Sequence, residues 1–578
     1  MQAAERSWRP SLSTFLGAAA SALCFALSFP LSEDFVAGWP LTFAWPALLA
    51  WVAVSARSWR SLVAAVFPAF YAAFLAHQWW MREITELGMP ILVGYLAAWT
   101  VVLALLIRWM AGPRRRAEDS AAPRWAGGAM PLMAAVPIAL VAVEFLRGDL
   151  VCTGYAWFFA AHPLVEWPAL AAIAAVGGGW LLSGVAGFVA GALADLAVGP
   201  ALMRFVAPAS LAAVGLATAL LAAFGRPAAA GPDADAARTF RILLVQTNLP
   251  MSNKLGWAPQ DQVDDFVDFA RLTLDGARNA DGRIDVAVWP ETMVPGFGLE
   301  RDSLRTLVDE RLFPGKRFEE GLLDLAGMVK APLLVGSPAF IGLRVDGARF
   351  VWDNQFNSAY LVGEEGVAGR TDKIFLTPFG ETMPIISNWT WLEERLLALG
   401  ASGMTFDLDV AREPHRFTLK SAAGDVRVGV PICFEITAPW ASRRIAFDGV
   451  ERKADVLVNI SNDGWFGPSG AGRRQHLQVA QLRAIELGTP VVRAANTGLS
   501  AAVSASGEVL GRLGANQPGT LLAEVQPVSP ATERRVPYAV LVGDGVAWAS
   551  IGLIGIVGIA RRSGARSQRL NAGAPTSR

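Results

Sequence analysis

The period of the apolar positions divides the chain. Over the first 226 residues, apolar runs of about 20 residues, the length that crosses a bilayer, recur with short polar breaks. They fall at about 11–31, 35–54, 61–80, 89–107, 129–146, 168–194 and 205–224, and an eighth lies at 539–560. Residues 227–239, rich in Pro, Ala and Gly, read as a linker, and after it the period shortens. β-rich runs at 240–246, 285–289, 332–336, 358–362, 426–432, 455–460, 490–493 and 499–503 alternate with helical patterns at about 259–279, 318–329 and 472–487. Strands interleaved with helices predict an α/β domain with a layered sheet core. The predicted order is a seven-span membrane domain (1–226), a linker (227–239), the α/β domain (240–530), a transmembrane helix (538–562) and a tail (563–578).

Composition agrees with the spans. Of 578 residues 53% are hydrophobic and 17% charged, against about 25% charged in soluble domains. Arg6 and Arg9 before an apolar core give residues 5–31 the look of a signal peptide, but the further spans and the lack of a small-residue cleavage site favour a retained span. Fifty basic residues balance fifty acidic ones, without the basic excess of a nucleic-acid binder. Arginine placement predicts orientation. With a cytoplasmic N-terminus, inner loops hold Arg57, Arg60, Arg108, Arg114, Arg115, Arg116, Arg124 and Arg204, and the tail holds Arg561, Arg562, Arg566 and Arg569. Short outer loops hold Arg82 and Arg147; Arg226, Arg534 and Arg535 run against the pattern but flank a large domain, where the rule is weak. Residues 225–538 are then outside. Within the spans, Gly187 and Gly191 form a small-xxx-small pair suited to close helix packing. Glu144, Asp195 and Asp544 lie near span ends, within reach of water or headgroups.

Cys433 is the one cysteine of the α/β domain, and the cysteine spacing supports neither a zinc site nor a disulfide scaffold. It ends the run Val428-Gly-Val-Pro-Ile-Cys433-Phe434-Glu435, a strand leading into a turn, where a rigid element aims a side chain into a cleft. Spacing alone leaves a nucleophile and a buried structural thiol equally open. Two further strand ends weigh on this. Asp285-Val-Ala-Val-Trp289-Pro290-Glu291 delivers one carboxylate, and Thr371-Asp372-Lys373 leads through Pro378-Phe379-Gly380 to a second, Glu381. His476, on an amphipathic helical pattern, offers a rival Cys–His pairing, though packing or capping explains it as well.

These clusters resemble the nitrilase superfamily, and within it the apolipoprotein N-acyltransferase family. The likeness covers nearly the whole chain. Further shared motifs are Val245-Gln246-Thr-Asn248-Leu-Pro250 with Trp257 after it, Ser461-Asn462-Asp463-Gly464-Trp465-Phe466-Gly467, Gln475-His476-Leu477 leading to Arg483-Ala-Ile-Glu486, and Arg493-Ala-Ala-Asn496-Thr-Gly498. The resemblance implies an αββα sandwich outside the inner membrane, in the periplasm, with no cofactor or metal. It implies a triad in which Glu291 is general base, Lys373 stabilises the oxyanion with the Phe434 N–H, and Cys433 is nucleophile. The Lys373 cation is expected to favour the thiolate. Glu381 and Glu435 are expected to orient Lys373 or the incoming amine, and Trp257 to wall the substrate. The implied reaction moves an acyl chain from a phospholipid such as phosphatidylethanolamine, through a Cys433 thioester, to the α-amino group of a diacylglyceryl apolipoprotein. A membrane-anchored amidase and a binding-only transporter or receptor are the alternatives. Three positions depart from the family pattern: Phe434 and Thr371 where tyrosine is common, and Phe375 where histidine is common.

The arginine bias generates a test. A variant retaining Cys433 alone should be labelled by a membrane-impermeant thiol reagent on cells with a permeabilised outer envelope. Reporter fusions within 225–538 that are active only in the cytoplasm would refute the orientation.

Overall fold

The structure, a computed structural model, describes residues 9–83, 86, 88–113, 130–199, 201–224, 239–250, 257–347, 349–378, 380–382, 408–422, 424–529 and 536–572. Arg6, the Arg114–Arg116 cluster with Arg124, Arg226, nearly all of the linker, Phe379, Arg534 and Arg535 lie outside the described residues.

Each predicted span coincides with a helix: α1 (Leu12–Ser28), α2 (Leu41–Ser55), α3 (Trp59–His77), α4 (Gly88–Ala111), α5 (Leu132–Phe145), α6 (Ala174–Val198), α7 (Met203–Phe224) and, at the far end of the chain, Gly545–Ala572. Among the described residues five, within α3, α4, α6, α7 and the last helix, are long and apolar enough to cross a membrane; α1 and α2 are apolar but shorter. Ser11 caps α1 by accepting from the Thr14 N–H at 3.2 Å, and Ser58 with Ser61 closes a capping box on α3. The run at 168–194 is broken. A turn at Pro168–Ala171 precedes α6, whose first residues are interrupted at Gly178, where φ is 69°, a conformation glycine adopts without strain. Gly187 and Gly191 do sit at a close crossing, against Pro137 and Leu132 of α5.

The acidic residues near the span ends differ from expectation. Glu144 and Asp195 are 3% and 2% exposed, so neither reaches water. Glu144 accepts from the Ala160 N–H at 2.7 Å and Asp195 from the Met133 N–H at 2.9 Å. They satisfy backbone donors that an apolar surrounding would leave unpaired. Asp544 takes an ion pair from Arg443 of the α/β domain at 2.7 Å.

Among the described residues the α/β domain is built on two six-stranded sheets, with two short two-stranded ones besides. The first has the order β12-β1-β2-β3-β4-β5, with β1 (Phe240–Gln246), β2 (Val286–Val288), β3 (Leu333–Ile341), β4 (Asn354–Gly363), β5 (Gly366–Asp372) and β12 (Gly519–Val525). The second has the order β11-β10-β9-β8-β7-β6, with β6 (Arg416–Ser421), β7 (Gly424–Gly429), β8 (Val456–Ser461), β9 (Val491–Ala495), β10 (Ala501–Val503) and β11 (Val509–Arg512). The period of two places alternate residues on opposite faces. Phe240, Ile242 and Leu244 of β1 meet Val456, Val458 and Ile460 of β8 between the sheets. Leu243 and Val245 face outward onto α8 (Pro259–Asn279) and α10 (Arg317–Val329), with α9 (Arg301–Asp309) between these helices in sequence. Strands β1, β2 and β3 are parallel neighbours, as are β7, β8 and β9. Both faces are covered, which accounts for their unbroken apolar runs.

The outer face of the second sheet carries α11 (Pro439–Ala446) and α12 (Gly470–Leu487), and then α13 (Gly545–Ala572) closes the chain. α12 was expected to be amphipathic, but Gly472 through Leu487 are all buried. Its apolar side chains join one core with those of α1–α6. Its polar ones find partners on the membrane part: Arg474 and Gln478 reach Glu166 at 2.5 and 2.9 Å, and Glu486 accepts from the Gly179 N–H beside the break in α6.

The α5–α6 crossing yields a prediction. A Cβ on Gly191 would lie 2.2 Å from the Leu132 carbonyl oxygen, whereas one on Gly184 would meet only Val141, at 3.6 Å. Gly191→Ala should destabilise by about 1–3 kcal/mol, the usual cost of overpacking, and lower the melting midpoint in detergent. Gly184→Ala should leave it unchanged or raise it.

Candidate active site

Three strand ends converge. β2 runs through Trp289 and Pro290 to Glu291, after which Thr292, at φ 52°, turns the chain sharply. Glu291 is 5% exposed. Its Oε1 accepts from Asn357 Nδ2 at 2.7 Å and its Oε2 from the Asn462 N–H at 2.8 Å. Lys373 follows β5 and has no exposed surface. Its Nζ donates to Glu381 Oε2 at 2.6 Å and stands 3.8 Å from Glu291 Oε1. Asn357 Nδ2 also donates to Glu381 Oε1, at 3.0 Å, so one amide nitrogen spans both carboxylates.

Cys433 lies beyond β7 at the head of a short 3₁₀ turn, Cys433–Thr437, with φ 54°. A left-handed conformation is costly for a residue with a side chain and persists where the surroundings enforce it. Glu435 supplies much of that enforcement. Its Oε2 accepts from the Ile432 N–H at 2.8 Å, and its Oε1 from the N–H groups of Ile374 and Phe375 at 2.7 and 3.0 Å. One buried carboxylate thus ties the cysteine turn to the backbone just after Lys373. Glu381 meets the ammonium itself, whereas Glu435 acts only on backbone.

Beneath the turn lies a buried polar network. Asn459 Nδ2 donates to the carbonyls of Pro431 and Cys433 at 2.9 and 3.3 Å, and Arg493 donates to Asn459 Oδ1 at 2.6 Å. Arg493 also grips Asp463 at 2.5 Å, and Asp463 takes Ser461 Oγ at 2.8 Å and His476 Nδ1 at 3.2 Å. Burial opposes ionisation of Asp463, but Arg493 and His476 outweigh it and hold the acid far below its usual range.

The charges set the protonation of the thiol. Burial and the adjacent Glu291 carboxylate push the Cys433 thiol well up, and Lys373 offsets only part of this. Lys373 favours the thiolate, as expected, but burial and the neighbouring carboxylates act the other way and leave the thiol above its ordinary value. Burial alone would neutralise Lys373, but Glu381 and Glu291 keep it charged. Glu381 is held below its ordinary value by Lys373 against its own burial. Burial pushes Glu435 up to about 7 in spite of its N–H donors. Burial and Arg493 keep His476 neutral, and the thiol is hydrogen-bonded to Glu291, not to His476. That geometry favours Glu291 over the Cys–His pairing.

The thiol opens into a cavity of about 420 Å³. Glu291, Glu381, Cys433, Phe434 and Trp257 line it from the α/β domain, and Trp80, Met81, Leu92, Tyr155 and Trp157 from the membrane part. Trp257 is fixed by its Nε1, which donates to Asp265 at 2.7 Å. Phe434 stacks between rings, 5.9 Å from Tyr155 and 5.8 Å from Trp157. A tyrosine ring from the membrane part, that of Tyr155, thus lies against Phe434. Among the described residues no group of three His, Cys, Asp or Glu is placed to hold a metal ion.

Residues 257–533 match the carbon–nitrogen hydrolase family, and residues 21–192 match the apolipoprotein N-acyltransferase N-terminal domain. The apolipoprotein N-acyltransferase of Sinorhizobium medicae is 30% identical over 84% of this chain and 80% of its own length. The chain belongs to the apolipoprotein N-acyltransferase family. The enzyme of that name from Azotobacter vinelandii is 33% identical over 68% of this chain and 67% of its own. Among solved structures, a mutant of the Nesterenkonia amidase from the nitrilase superfamily is 15% identical, covers 52% of this chain and 95% of that one, and has a TM-score of 0.34.

Asn357, Asn459 and Tyr155 escaped the sequence reading. Asn357 sits in a plain β-run, and only its placement between two carboxylates gives it meaning. Tyr155 lies in a membrane-part segment whose contact with Cys433's neighbour is long-range.

The electrostatics predict a divergence between two reactions of one sulfur. Glu291→Gln removes a charge that holds the thiol protonated, so alkylation of Cys433 by iodoacetamide should move to lower pH than in wild type. The same variant should lose acyl-enzyme formation. An unchanged alkylation profile would show that Glu291 does not set the thiol's state.

Proposed function

We propose that this protein transfers an acyl chain from a membrane phospholipid to the α-amino group of the S-diacylglyceryl cysteine that begins an apolipoprotein, leaving an amide. Membership in the family carries this reading. A thiol, a carboxylate and an ammonium opening into a cavity walled partly by membrane helices gives it a physical basis, since both substrates are lipids. We further take the donor to be phosphatidylethanolamine, the membrane to be the bacterial inner membrane, and the arrangement to be seven spans, a periplasmic catalytic domain over 240–530 and one returning span.

Glu291 takes the Cys433 proton as sulfur attacks the ester carbonyl, so no thiolate is needed beforehand. The tetrahedral oxyanion faces Lys373 Nζ and the Phe434 N–H. Collapse expels the lysophospholipid alkoxide, which recovers the proton from Glu291, and leaves the acyl-Cys433 thioester. The lipoprotein amine then attacks the thioester, Glu291 accepts its proton, and the sulfur leaves and is reprotonated as the amide forms. Glu381 holds Lys373 in place, Glu435 holds the cysteine turn, and Trp257 walls the substrate.

Purified enzyme given phospholipid alone should accumulate one acyl group, visible by intact mass and released by neutral hydroxylamine. A diacylglyceryl-cysteine peptide should discharge it as an amide. Cys433→Ala should form no adduct, and Lys373→Ala should lose about 10²–10³ in rate, the scale of an oxyanion donor. His476→Ala should lose far less than Glu291→Ala. Steady release of free fatty acid without acceptor, with no trapped adduct, would make the protein a hydrolase.

A further inference from the structure

In the proposed orientation two arginines, Arg82 and Arg147, remain in short outer loops, where the positive-inside bias disfavours them. The structure accounts for one. Arg147 is 5% exposed, donates to the Phe158 carbonyl at 3.3 Å and lies over the Phe159 ring. Arg82 is exposed. It belongs to a short 3₁₀ turn, Trp79–Glu83, which follows α3 at the end opposite Arg57 and Arg60, about 30 Å along that helix. The turn has two faces. Trp80 and Met81 line the cavity into which Cys433 opens, and Trp80 packs edge-on against Phe466 at 4.9 Å. Trp79 is 49% exposed, and the Arg82 guanidinium lies over its ring, 4.9 Å from the centroid.

An exposed tryptophan at the end of a membrane helix suits headgroup depth, and an arginine stacked on it is held at that level. One residue back, the same turn walls the reaction cavity, so a guanidinium stands beside that wall. A glycerolipid whose ester carbonyl reaches Cys433 carries its phosphate only a few bonds from that carbonyl. The phosphate is costly to bury without a cation, and a guanidinium fork is the side chain best matched to it. We propose that Arg82, steadied by Trp79, binds the phosphate of the phospholipid donor while that lipid acylates Cys433. The inference rests on the acyl-transfer reading above. It gives the two half-reactions different needs, since the donor carries a phosphate and a diacylglyceryl-cysteine peptide carries none. Surrounding lipid offers the same phosphate, so the test removes it.

The test uses the full-length protein in neutral maltoside micelles and phosphate-free buffer, where the donor supplies the phosphate. Acyl-enzyme formation is followed by intact mass over a range of phosphatidylethanolamine concentrations. Discharge of the acyl-enzyme is followed over a range of diacylglyceryl-cysteine peptide. Arg82→Gln should raise KM for the donor about fivefold, the scale of one arginine at a membrane surface, with kcat little changed. Discharge should keep its wild-type KM. Arg82→Glu should raise the donor KM further than Arg82→Gln, because it adds repulsion, and should also leave discharge alone. An unaltered Arg82→Gln enzyme, equal losses in both half-reactions, or equal losses for the two variants would overturn the inference, because the turn would then act by packing or as an anchor only. Wild type that forms no acyl-enzyme from the donor would instead bring down the acyl-transfer reading, and this inference with it.

Discussion

An ammonium with no exposed surface is the constraint on which this site depends. Lys373 could not stay charged in such a place unless charge and hydrogen bonds replaced the lost water. Glu381 at 2.6 Å and Glu291 at 3.8 Å supply them. Burial and the Glu291 carboxylate together push the Cys433 thiol up, and Lys373 offsets only part of this. The protonated resting thiol and the charged lysine are therefore two consequences of one arrangement. A site built this way suits a base that removes the proton during attack. It does not suit a preformed ion pair, in which the cation would have to dominate.

Such an arrangement is sensitive to ångström displacements, and the backbone is held accordingly. Cys433 occupies a left-handed conformation because both sides of the turn are fixed. Glu435 binds the Ile432 N–H before the cysteine and the two N–H groups after Lys373, so thiol and ammonium cannot drift apart independently. From below, Asn459, Arg493 and Asp463 fill the polar demand of the turn's carbonyls. His476 belongs to this support. Its Nδ1 is engaged by Asp463, which gives a histidine close to Cys433 a supporting place in the network.

What could be read from the sequence follows from the range of the interactions involved. The apolar runs gave all eight helices because hydropathy is a local property, and β1 and α8 came out with their observed bounds because period and flanking residues agree. Strands β5, β6, β11 and β12 were missed. β6 and β11 alternate buried or half-buried with exposed positions, and polar exposed residues, such as Thr418 and Arg512, dilute the apolar signal. Glu291, Lys373 and Cys433 stood out because each ends a recognisable strand motif. Their partners did not, since Asn357 acquires its role only from strand ends far apart in sequence meeting within one sheet. The polar side chains of α12 suggested a solvated face, yet both faces are covered, because a second set of helices absorbs the polar side through Glu166 and Gly179.

That last point bears on how the site meets its lipids. α12 carries His476 beneath the cysteine turn and, within the same eighteen residues, Arg474 and Glu486 onto the membrane part. A rigid helix sharing one apolar core with α1–α6 transmits the position of those helices to the site with little slack. The cavity wall completed by Trp80, Leu92 and Trp157 is thus held in register with the sulfur by packing, without a flexible tether between them. The membrane side of the cavity is aromatic and aliphatic, and the polar groups around Glu291 and Asn357 lie on the other side. In the proposed reaction, exclusion of water from the thioester then comes from the chain that fills the cavity. Glu291 is there left to act on whichever nucleophile brings its own lipid to replace that chain.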